Sequence, residues 1–95
     1  MIQAIAVQKE DIPGLKFRNI SAEKDANFHS NLRSDLHRAL LLGNASHQKV
    51  KIIFETSEGR MVTDTTVWNL TENYIILKGN VDIPIHSILG IDFFE

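Results

Sequence analysis

Ninety-five residues with 43% hydrophobic and 23% charged content describe one folded domain and exclude global disorder. The absence of cysteine rules out disulfides and thiolate zinc sites. The net charge of −2 divides unevenly, at +1 over residues 1–48 and −3 over residues 49–95. That bias weighs against a β-rich half built to grip phosphates.

The first residues, Met1 to Glu10, lack the basic start and long apolar centre of a signal peptide. No stretch reaches the roughly 20 apolar residues of a membrane span. The expected setting is the cytoplasm, with no membrane association.

Residues 1–20 form an N-terminal arm. Residues 1–9 read equally as a short helix or as a strand in which Ile5 and Val7 alternate. Ile12-Pro13-Gly14 is a turn signal, since proline fixes φ and glycine supplies positive φ. A long helix is expected next, within 21–43. Ser21 would cap it, Glu23 and Asp25 would sit in its first turn, and Gly43-Asn44 would stop it. At 100° per residue, Phe28, Leu32, Leu36, Ala39, Leu40 and Leu42 share one arc, and Leu41 falls on the far side.

Residues 49–95 read as five short strands: Val50 to Thr56, Met61 to Leu70, Tyr74 to Lys78, Val81 to Ile85, and Gly90 to Phe94. Pro84 marks an edge or strand end, and His86-Ser87-Ile88 one tight helical turn. Alternation fails at Ile52-Ile53-Phe54, Tyr74-Ile75-Ile76-Leu77 and Phe93-Phe94, which ask for burial on both faces. One helix is too little to cover them all, so a homo-oligomer is expected. The expected shared core is Phe28, Leu32, Leu36, Ala39, Leu40, Val50, Ile52, Phe54, Val67, Ile76, Ile85, Ile88 and Ile91.

The fold class is therefore mostly β with one long N-terminal helix (α+β), and the sheet is expected to curl into a five-stranded antiparallel small barrel. Helix-then-five-strand order and the ending Ile83-Pro84-Ile85-His86-Ser87-Ile88-Leu89-Gly90-Ile91 resemble Sm-like and SH3-like barrels over residues 22–95. An Sm-like relationship would imply nucleic-acid binding. Asp64-Thr65-Thr66-Val67-Trp68 stands where that pattern has a glycine bend. The whole chain also resembles a group of short uncharacterised bacterial proteins, chiefly of Bacteroidetes. That likeness rests on Ser21-Ala22-Glu23-Lys24-Asp25, Asn27-Phe28-His29, Leu32-Arg33-Ser34-Asp35-Leu36, Leu42-Gly43-Asn44, Thr65-Thr66-Val67-Trp68 and Ile83-Pro84-Ile85, and brings no activity with it.

Several residues are candidates for chemistry. Asp35 falls inside the apolar arc, where a carboxylate needs a partner; Arg38 at i+3 or barrel threonines could supply one. His29, Arg33 and His37 step by four and form a stripe beside the apolar face. Asp25 and His29 have ligand spacing, but two ligands make no metal site. Asp82, His86 and Ser87 contain the residue types of a triad without its elbow or oxyanion loop. Lys24, Arg33, Arg38, His47, Lys49 and Lys51 could form a basic patch, with Trp68 or Tyr74 as a stacking platform.

The resulting expectation is a non-enzymatic, self-associating interaction module without cofactor or metal. Its binding surface would be drawn from His29, Arg33, Asp35, His37, Arg38, Lys49, Lys51 and Trp68. The alternative is an Sm-like nucleic-acid-binding protein. A small metal-dependent or hydrolytic enzyme around Asp35 and His29 ranks below both.

Overall fold

The computed structural model describes residues 4–94; Met1–Gln3 and Glu95, including the start of the 1–9 reading, lie outside the described residues. Its elements run β1 (Ile5–Ala6), 3-10 turns at Lys9–Gly14 and Ser21–Glu23, α1 (Ala26–Ser46), β2 (Lys49–Thr56), β3 (Gly59–Leu70), β4 (Tyr74–Leu77), β5 (Val81–Pro84), a 3-10 turn at Ile85–Ser87, and β6 (Ile88–Phe93). The class is α+β. The sheet has six strands in the order β5-β4-β3-β2-β6, with β1 added in parallel to β3 and all other pairs antiparallel.

The expected closed, five-stranded barrel is corrected in two respects. A sixth strand comes from the arm, and no ladder among the described residues joins β5 to β6. The long strand β3 does the bending. Its first part pairs with β2 through Thr66, and its last part pairs with β4 from Val67 onwards. A bulge between Val67 and Asn69 marks the change, as expected where one strand turns between two sheet halves.

Helix α1 starts four residues later than the sequence suggests. Asp25 is its N-cap, its side chain accepting from the Phe28 N–H at 2.9 Å, while Ser21 belongs to a separate 3-10 turn. The helix also runs through Gly43 and ends after Ser46. His47 closes it in the left-handed conformation (φ 53°), donating its N–H to the Gly43 carbonyl at 3.0 Å. Leu32, Leu36, Ala39 and Gly43 are its buried stripe. The helix packs on β3 and β6.

The inner face of the sheet alternates as a half-buried sheet should. Val50, Ile52 and Phe54 of β2 meet Thr65, Thr63 and Met61 of β3, all buried. On β4 the phase differs from expectation: Ile75 and Leu77 are buried, and Ile76 is turned outward and half-buried. Phe28, Leu40 and Ile85 line the margin of the core. Ile12, Ile20, Met61, Val81 and Ile83 join the core unanticipated.

The arm is the main addition. The 3-10 turn at Lys9–Gly14 packs on β5 and β3 and leaves Ile12 with no exposed surface. Phe17 bridges to Thr56 and its ring lies 5.9 Å from that of Phe54. Arg18 ties the arm to β2, donating to Glu55 at 3.4 Å and to Glu23 at 2.7 Å, while Arg60 holds Glu55 from β3 at 2.9 Å. No described helix is long and apolar enough to cross a membrane.

Candidate functional site

Two flanks border the buried stripe of α1. His29, Arg33, Leu40 and His37 project on one side, and Phe28, Asp35, Leu42 and Arg38 on the other, as 100° steps require. His29, Arg33 and His37 of the first flank form one wall of a groove of about 460 Å³, with Leu32, Leu36, Leu70 and Ile85 as its apolar floor. Thr71 and Glu72, in the β3–β4 turn, make the facing wall. A smaller hollow of about 190 Å³ continues it past His29 towards Asn73 and His86.

The expected stripe of His29, Arg33 and His37 is thus brought together. Arg33 makes no ion pair among the described residues. His29 is less available, because its Nε2 lies 2.9 Å from the Ser21 carbonyl oxygen. Asp25, which has ligand spacing to His29, caps the helix through one carboxylate oxygen. No cluster of three His, Cys, Asp or Glu among the described residues is placed to hold a metal.

The other expected site residues lie apart from the groove. The Arg38 guanidinium sits 4.1 Å from the centroid of the Phe93 ring, a cation–π contact that spends it on packing. Asp35 is half-buried and makes no side-chain hydrogen bond or ion pair among the described residues, so neither expected partner engages it. Lys49 and Lys51 belong to β2; Lys51 lies on the outer sheet face, in register between Asp64 and Asp92. The six expected basic residues therefore do not merge into one patch, although Lys24 and Lys51 line a common groove. His86 Nδ1 lies 3.1 Å from Ser87 Oγ, but Ser87 is buried and Asp82 points outward opposite Ile76.

A second surface was only partly anticipated. Tyr74 and Ile76 alternate outward along β4, and Trp68 stands in the β3 bulge beside Asn69, the cross-strand partner of Ile76. Trp68 and Tyr74 are each 45% exposed. Lys78 and Asp82, both exposed and of opposite charge, flank the β4–β5 turn on the same side. The run Tyr74-Ile75-Ile76-Leu77 signalled two-sided burial, but its phase could not be known before its partners were. No family model, curated protein or solved structure matches the chain.

Proposed function

We propose that the protein is a non-enzymatic interaction module that self-associates through the outward face of β4. The observation that carries this reading is the exposed pair Trp68 and Tyr74 beside half-buried Ile76. Tryptophan and tyrosine bring large apolar area with little side-chain entropy to lose, and they dominate interface energetics. Lys78 and Asp82 support a second copy as the occupant. In a two-fold interface each surface meets itself, so one patch with both signs can complement its copy.

The finer architecture we read as an open form of the small Sm-like or SH3-like barrel. Strand order β6-β2-β3-β4-β5, the bend in β3, and a single 3-10 turn between β5 and β6 support it. The test of function is light scattering on a gel-filtration column over a concentration series. An oligomer is expected for the natural chain, and a folded monomer for Trp68→Ser with Tyr74→Ser. A strictly monomeric natural chain at high concentration overturns the reading.

A second reading, nucleic-acid binding, draws on Arg33 exposed on the groove wall between His29 and His37. Glu72 on the facing wall opposes it. It requires salt-sensitive oligonucleotide binding lost in Arg33→Ala and retained in Arg38→Ala.

A further inference from the structure

Gly90 sits in the middle of β6 with no structural demand for glycine. It is not among the glycines with positive φ, and a Cβ built on it meets nothing within 4 Å. Glycine inside a strand weakens it, so a side chain there would ordinarily be an advantage. What the missing side chain creates is space. Gly90 pairs with Ile53, and Ile53 with Val62, so one cross-strand row on the outer face runs apolar, apolar, empty.

That row is the floor of an open groove of about 500 Å³, within the range of small-molecule sites. Leu89, the extra residue at the β6 irregularity, and Phe28 of α1 extend the apolar lining. The charged lining side chains are all cationic: Lys24, Lys51 and Arg60. The nearby acids stand outside the lining. Glu55 is held by Arg60 and Arg18. Asp64 and Asp92 neighbour Lys51 across the strands, yet neither forms an ion pair with it among the described residues. The Lys24 ammonium lies 5.3 Å from the Phe28 ring centroid and that of Lys51 5.8 Å from the Phe94 ring centroid, both longer than the 4.1 Å contact of Arg38 with Phe93.

We propose that this groove binds a free amphiphilic anion: a linear alkyl chain bearing one carboxylate. The chain lies over Ile53, Val62 and the gap at Gly90, and the carboxylate meets the ammonium groups of Lys24 and Lys51. Charge complementarity selects the anion, and the apolar floor selects its tail. This site is separate from the β4 face and does not depend on self-association.

The test is a fluorescence titration with dansyl-undecanoate, followed by displacement with dodecanoate, dodecanol or dodecyltrimethylammonium. Saturable binding at one probe per chain is expected, displaced by dodecanoate far better than by the neutral or cationic chain. Gly90→Val fills the gap. Displacing two methylenes from the floor costs about tenfold in affinity, while the melting temperature holds or rises. Lys24→Gln with Lys51→Gln removes the preference for dodecanoate over dodecanol, and decides the matter if Gly90→Val does not fold. The proposal is overturned by absence of saturable binding, by unchanged affinity in folded Gly90→Val, or by equal displacement with the cationic chain. Sedimentation with phosphatidylglycerol vesicles without binding of free dodecanoate also overturns it.

Discussion

The backbone of Gly43 lies against the carbonyl of Val67, so close that a methyl group on Gly43 would collide with the Val67 oxygen and press on Thr66 Cγ2. Val67 is where β3 leaves its ladder with β2 and joins β4. The helix therefore rests, backbone on backbone, on the bend that shapes the sheet. Glycine is unfavourable inside a helix, and here close approach outweighs that cost.

Gly43→Ala tests this relationship. Helix propensity alone would stabilise the protein by about 1 kcal/mol. Overpacking against a backbone carbonyl, which cannot rotate away, costs about 1–3 kcal/mol. A net loss of stability in urea denaturation is expected, together with looser packing of α1. Gly90→Ala, whose methyl enters open space, should be neutral or stabilising by about 0.5–1 kcal/mol. Equal responses at the two sites would contradict the close contact.

Ile12 makes a second prediction. The arm's 3-10 turn buries it completely against β5 and β3. Ile12→Ala should cost about 2–5 kcal/mol, the range for large cavities in a packed core. A change below ~1 kcal/mol in chemical denaturation would mean the arm is loosely attached.

The legibility of this chain follows the range of the forces involved. The helix was readable because Leu32, Leu36 and Ala39 repeat at helical spacing, and β2 because Val50, Ile52 and Phe54 alternate. Gly43 was misread as a stop because its reason, Val67, lies in another element. Ile12 was read as part of a turn, since Pro13-Gly14 is a turn signal and the surface beneath it is distant in sequence. The stripe of His29, Arg33 and His37 followed from 100° steps. Which flank of α1 meets which part of the sheet did not, so the expected basic patch joins Arg38, which packs on Phe93, with Arg33 on the opposite flank of the helix. Gly90 carried no local signal for a groove, because the groove exists only where β2, β3 and β6 lie side by side.

The start of α1 offers a third prediction. Asp25 accepts the Phe28 N–H, whereas the Ser21 hydroxyl bonds Asn19 at 2.7 Å. Asp25→Ala should lower stability by about 0.5–2 kcal/mol, the cost of a lost N-cap. Ser21→Ala, on an exposed local turn, should stay within about 0.5 kcal/mol. Thermal melts of the two variants side by side settle which residue caps the helix. The reverse order would return the cap to Ser21.

Ile75 and Ile76, adjacent on β4, separate stability from association. Ile75 is fully buried against the core, and Ile76 faces outward between Asn69 and Asp82. Ile75→Ala should cost about 2–5 kcal/mol as a core cavity. Ile76→Thr keeps a β-branched side chain suited to a strand, so its cost in the isolated chain should stay near the span of strand propensities, about 1 kcal/mol. Its effect should appear in assembly, because it removes apolar area beside Trp68 and Tyr74. The chain has one tryptophan, so Trp68 emission reports this face directly. On dilution, the natural chain should shift to the red as Trp68 becomes exposed to water, and the midpoint should move to higher concentration in Ile76→Thr. Emission that is independent of concentration in both chains would remove the β4 face from any role in self-association.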